Sequence, residues 1–204
     1  MEKTTFAIDR MYDFVGDFAD EHNMQATINA LPFAKEKHEG QMRKGPEGAK
    51  QPYISHPLTM ACHALAMGLH NDDLLAAILL HDVVEDCGVS AASLPVNRSV
   101  QNAVLLVTRQ DGESKTKYYQ QIGENPIAVM VKLIDRCHNV SQMSLAFSRE
   151  KLWKYIHETE SYILPMLEAA KEKWPEYTNQ YFLLEYQICS ALDTVKALLE
   201  REDI

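Results

Sequence analysis

The sequence predicts an all-α fold, a single-domain helical bundle, on three observations. Apolar residues recur at helical spacing through most of the chain, and strand-like alternation is nearly absent. Hydrophobic residues make up 46% of the 204, enough to bury one good core.

The elements follow in order. Residues 6–18 form a first helix and 26–42 a second, after which GPEGAKQP breaks the chain as a loop. Further helices are expected over 57–67, 72–85, 96–108, 115–124, 125–139, 151–173 and 178–200. Pro126 suits the first turn of its helix, whereas Pro165 interrupts a periodic run and should kink or split it. The last helix carries Phe182, Leu183, Leu184, Ile188, Leu192, Val195, Leu198 and Leu199. Such a face closes the core or pairs with a second copy, so a homo-oligomer is one expectation. There is no internal repeat and no low-complexity linker.

Composition narrows the function. A formal net charge of −9 disfavours extended nucleic-acid binding, which normally shows a basic stripe, and favours a mononucleotide-sized ligand. No stretch reaches the roughly 18 continuous apolar residues of a membrane span. The opening MEKTTFAIDRMYDF mixes charges into its apolar positions and lacks a signal-peptide core, so a cytoplasmic location is expected. Cys62, Cys87, Cys137 and Cys189 are scattered without a paired spacing, which suits reduced thiols.

The most specific signal is AAILLHDVVED, residues 76–86, which delivers His81 and Asp82 together and Glu85 and Asp86 one turn on. A solvated charge face fits poorly, because Ala76 to Leu80 run straight into the pair and Val83 and Val84 sit inside the acidic cluster. Buried charges must be paired or bind metal. Read as one continuous helix, Asp82 shares a side with Glu85 and Asp86, while His81 faces Glu85. Three carboxylates and an imidazole so crowded repel one another unless a cation holds them.

Two further words accompany it: PYISHP, residues 52–57, with His56 before a proline, and VKLIDRCHN, residues 131–139, with Asp135, Arg136, His138 and Asn139. Each alone is ordinary. A histidine before proline caps a helix or packs in a core, and Asp135 with Arg136 reads equally well as a salt bridge. In order, H…HD…D supplies two imidazoles and two carboxylates, a set suited to manganese, iron, zinc or magnesium with positions left for water.

This ordered set, His56, His81–Asp82 and Asp135, resembles the HD-domain metal phosphohydrolases. HEGQMRKGPEGAKQPYISHP, LLHDVVED and VKLIDRCHN narrow the resemblance to the hydrolase domain of the RelA/SpoT alarmone enzymes, particularly the stand-alone small alarmone hydrolases. It covers about residues 25–170, with helices over 151–200 completing one domain of 1–204. The resemblance implies an HD-type bundle in which His56, His81, Asp82 and Asp135 bind a divalent metal, most often Mn2+. Glu85 and Asp86 match the catalytic acidic pair that orients water, Arg43 and Lys44 basic residues beside the nucleotide, and Asn139 a nucleotide contact. The implied reaction removes the 3′-pyrophosphate from ppGpp or pppGpp. The chain stops before a synthetase domain would begin, so a hydrolase alone is expected.

The residue chemistry agrees with this assignment. Glu85 or Asp86 can accept a proton or align an attacking water. Arg43 suits stacking or bidentate contact, and Lys44 acts as a point charge. Lys115 and Lys117 add positive charge farther along, while Lys35, Lys37 and Lys50 read as ordinary surface. Substrate choice is less fixed. RKGPEGAKQPY is longer than the family's RKSGEPY, placing Gly45 where a serine is common; Gln142 stands where threonine is common, and LLVTRQD replaces GVTK. These departures keep open a related hydrolase acting on another nucleotide or phosphate ester, and, from another class, a non-catalytic nucleotide sensor. His38 and His138 are read as packing or hydrogen bonding near the site rather than as ligands.

Overall fold

Helices α1 (Ile8–Glu21) and α2 (Gln25–Lys37) open the folded chain, followed by a hairpin of β1 (Met42–Lys44) and β2 (Lys50–Pro52). Then come α3 (Ser55–Ala66), α4 (Asp72–Leu80), a short α5 (Val83–Cys87) and α6 (Arg98–Val107). The computed structural model describes residues 7–44 and 50–201. Gly45 lies outside them. Two compact units result, Met1–Arg43 with Gln51–Asp111, and Lys44–Lys50 with Gly112–Ile204.

In the first unit α1 buries Met11, Val15 and Ala19, a stripe at i, i+4 and i+8. Helix α2 ends earlier than the periodicity suggests. Its last residue is Lys37, and Gly40 follows at φ 75°, a left-handed conformation that glycine adopts without a Cβ clash. The hairpin after it was not legible as strand, because three-residue strands carry too little alternation to register.

Helix α4 is the centre of this unit. Leu74 to Leu80 are all buried, and the helix packs against α2, α3 and α6. Its start is fixed by Asn71, whose side chain accepts from the Leu74 amide at 2.9 Å. Helix α2 lacks such a cap of its own, since Met24 precedes it. Asp72 supplies one instead, accepting from the Ala26 amide at 3.0 Å and the Thr27 amide at 2.8 Å.

The second unit holds α7 (Lys115–Ile122), α8 (Pro126–Ala146), α9 (Arg149–Glu158), α10 (Leu164–Lys173) and α11 (Thr178–Arg201). Asn125 caps α8 and Pro126 occupies its first turn, as expected. The helix then runs well past 139, because Val140 and Met143 continue its buried face. Pro165 does split its run: a π turn over Thr159–Ile163 separates α9 from α10, with the proline at the start of the latter. Helix α11 buries Tyr181, Leu184, Ile188, Leu192, Val195 and Leu199 and leaves Phe182, Leu183, Tyr186 and Leu198 exposed.

Among the described residues no helix is long and apolar enough to cross a membrane. The four cysteines are free thiols.

Candidate metal centre

The first unit brings three of the predicted ligands together. His56 lies in the first turn of α3, and His81 and Asp82 form the joint between α4 and α5. The single helix read over 72–85 is in fact interrupted here. The His81 imidazole Nδ1 lies 2.8 Å from the Ile78 carbonyl, and Asp82 adopts φ −98° and ψ −8° before Val83 restarts the helix. A side chain has taken a carbonyl within the last turn of α4, which competes with continuing the ladder.

That contact also fixes the chemistry of the ring. A carbonyl only accepts, so Nδ1 carries the hydrogen and Nε2 keeps its lone pair. His81 Nε2 stands 2.9 Å from Asp82 Oδ2, and His56 Nε2 stands 3.7 Å from the same oxygen. Ligand atoms from the three residues all lie within 4.8 Å of one another. Two lone-pair donors at 2.9 Å attract only with a proton or a metal ion between them, so the donor set fits a divalent cation. The histidines are 3% and 4% exposed and Asp82 keeps 22% of its side chain in contact with solvent, so the trio is walled on one side and open on the other. Glu85 and Asp86 follow on the exposed first turn of α5.

Tyr53, in the turn before α3, is a participant that the sequence reading passed over. Its hydroxyl donates to Asp82 Oδ2 at 2.6 Å. Burial, followed by the Asp82 charge, pushes its pKa far above the ordinary phenol value, so it stays a donor. Its ring stacks on His38 at 4.7 Å between centroids and meets His56 edge-on at 6.0 Å. His38 is therefore a support: its Nδ1 lies 2.7 Å from Gln41 Oε1, and Gln41 Nε2 reaches the Asp86 carbonyl at 3.5 Å. Only the word PYISHP hinted at this, by placing an aromatic residue three positions before His56.

Asp135 and Asn139 belong to the second unit, on one face of α8 at i and i+4. Asn139 Nδ2 donates to Asp135 Oδ1 at 2.5 Å, and Lys132 Nζ donates to Oδ2 at 3.0 Å. Burial would lower the pKa of Lys132, but the Asp135 carboxylate holds it well above its ordinary value. The alternative pairing of Asp135 with Arg136 gives way to another. Arg136 is 2% exposed, donates to Glu158 Oε1 at 2.8 Å, and lies over the Tyr155 ring at 3.9 Å.

Of the basic candidates, Arg43 is half-buried and Lys44 exposed, both on β1. Lys115 pairs with Glu158 and Lys117 with Glu113, so neither is a loose cation. Lys35 lies over Tyr12 and Lys37 bridges to Glu36, the surface roles read for them. His138 Nε2 sits 3.3 Å from the Gln142 amide on the next turn of α8.

Comparison with known proteins points in one direction. No family model matches the chain. It is 33% identical over 148 residues to a guanosine-3′,5′-bis(diphosphate) 3′-pyrophosphohydrolase of Aquifex aeolicus, covering 67% of this chain and 20% of that protein. It is 31% identical over 159 residues to the bifunctional (p)ppGpp synthase/hydrolase RelA of Mycobacterium tuberculosis, covering 71% and 21%. The chain thus spans about a fifth of the length of these relatives. Among solved structures it matches a metazoan ortholog of SpoT that hydrolyses ppGpp, with a TM-score of 0.64, 22% identity, and 83% of this chain and 94% of that one aligned. At that identity the match establishes the helical fold.

Proposed function

We propose, for a chain related to the hydrolase region of the RelA/SpoT proteins, that it is an HD-type metal-dependent phosphohydrolase removing the 3′-pyrophosphate from ppGpp and pppGpp. The observation that carries this reading is the convergence of His56, His81 and Asp82 on one oxygen, Asp82 Oδ2, at the bend between α4 and α5. Asp135 is the fourth ligand in this reading, and manganese the cation.

When bound, a divalent ion supplies a nucleophile at neutral pH, by lowering the pKa of water from about 15.7 towards 7, and polarises a phosphoryl oxygen. The chain does the rest. Glu85 and Asp86, exposed on α5 about one turn after Asp82, accept the proton released by the attacking water and orient it. Arg43 offers a planar guanidinium to the base or a phosphate, and Lys44 a mobile ammonium. Both are needed, because a pyrophosphorylated nucleotide brings several negative charges to a protein of net charge −9. Asn139, its amide held by Asp135, is the nucleotide contact in this reading.

Incubation of the purified protein with ppGpp and Mn2+ releases pyrophosphate and GDP, and Asp82→Ala abolishes the release. Turnover untouched by Asp82→Ala overturns the reading. A second reading keeps the chemistry and changes the base or ester. It is favoured by Gln142, which pairs with His138 where a threonine is usual in the family. A panel of 3′- and 5′-phosphorylated nucleotides under the same conditions decides between the two.

A further inference from the structure

Asp82 carries the whole first-unit cluster on a single oxygen, and a carboxylate left to itself does not hold such a geometry. The terminal torsion of an aspartate is broad, so Oδ1 and Oδ2 exchange places at little cost unless something fixes them. Tyr53 provides the constraint. Its hydroxyl, 2.6 Å from Oδ2, occupies one lone-pair direction and leaves another directed at His81 Nε2, 2.9 Å away, and His56 Nε2, 3.7 Å away.

The phenol is itself held at several points. The Tyr53 amide donates to the Gln41 carbonyl at 2.9 Å, and the His56 amide donates to the Tyr53 carbonyl at 2.9 Å, so the ligand His56 and the phenol share one turn of backbone. His38 lies across the ring at an interplanar angle of 27°. That imidazole is 2% exposed, and with Nδ1 engaged by Gln41, its Nε2 has no hydrogen-bond partner among the described residues. The face of that buried ring lies against Tyr53.

We infer that Tyr53 is a positioning residue for the metal ligand Asp82, with His38 as its stacking support. The inference rests on the metal-centre reading above. Hydrogen-bonding partners of metal ligands typically change affinity by about 10–100-fold when lost. Tyr53→Phe removes one oxygen atom and keeps the stack on His38.

The test is Mn2+ affinity, read from the free-ion electron paramagnetic resonance signal in a titration of the intact chain. Tyr53→Phe is expected to bind about 10–100-fold more weakly than the wild type, with the melting temperature of the metal-free protein unchanged. With ppGpp at saturating metal, kcat falls while KM holds. His38→Ala keeps the hydroxyl and removes its support, and its affinity falls between the two. Affinity of Tyr53→Phe within twofold of wild type overturns the inference and leaves the metal centre standing. Wild-type protein that binds no Mn2+, or Asp82→Ala that binds it equally well, overturns the metal centre and the role of Tyr53 with it.

Discussion

Asp72 caps a helix to which it does not belong: its Oδ1 accepts from both the amide and the hydroxyl of Thr27, each at 2.8 Å. The two residues are 45 positions apart, so α4 closes the open start of α2 with a negative charge at its positive end. The arrangement ties α2, whose last turn leads into His38, to α4, whose end presents His81. Asp72→Ala therefore costs about 1–3 kcal/mol, more than an ordinary cap, because the Ala26 and Thr27 amides lose their acceptor and the Thr27 hydroxyl keeps only the residue 72 carbonyl at 3.2 Å. A lowered urea midpoint with an unchanged m-value is the expected result; a change below about 0.5 kcal/mol shows the amides re-paired.

Glu158 gives the second unit an acid limb. Burial would raise its pKa, but hydrogen bonds from Lys115, Tyr119 and Arg136 bring it down to about 2. The folded value is thus below the unfolded value of about 4.3, so the stabilisation is complete above that pH and disappears as pH falls towards 2. Glu158→Gln is expected to flatten the stability profile between about pH 4.3 and 2. It also leaves Arg136 buried without its anion, a loss near the lower end of the about 3–5 kcal/mol typical of broken buried pairs. Chemical denaturation at a series of pH values checks both.

Metal binding at the trio must appear as stability. At a free Mn2+ concentration about 100 times Kd, linkage adds about 2.7 kcal/mol, and for a chain of this size each kcal/mol moves Tm by about 2–4 °C. A rise of roughly 5–10 °C is expected on adding Mn2+, reversed by a chelator and absent in His81→Ala. A rise of the same size in His81→Ala places the ion elsewhere.

Glu85 and Asp86 are exposed, and the proposed mechanism gives them a role in the reaction rather than in the fold. Glu85→Gln or Asp86→Asn is expected to lower kcat by about 10²–10⁴-fold while preserving the Mn2+-dependent rise in Tm. A variant that loses the rise as well acts on the metal rather than on the water.

Much of this molecule was legible in the chain because helical periodicity is a local signal. The ends of α6 and α7, the capped start of α8 and the split at Pro165 all follow from residues within a few positions. His81 and Asp82 stood out as charges set among apolar neighbours, whereas His56 was ordinary by itself and gained meaning only from its order with them. What escaped was non-local or depended on one bond. The break at His81–Asp82 hangs on an imidazole taking the Ile78 carbonyl. The cap on α2 comes from another helix, and Tyr53 is a single aromatic residue that any core could use. The preference of Arg136 for Glu158 over its neighbour Asp135 reflects side-chain direction: adjacent residues on a helix point about 100° apart, so sequence adjacency does not make a pair.

The π turn over Thr159–Ile163 has a consequence for how this unit tolerates change. Its wide coil buries Thr159 and Ile163, and the Thr159 hydroxyl there donates to the Tyr155 carbonyl at 2.7 Å while accepting from the buried Arg136 guanidinium at 3.2 Å. Thr159→Val keeps the shape and drops the oxygen, and so takes one acceptor from a guanidinium that water does not reach.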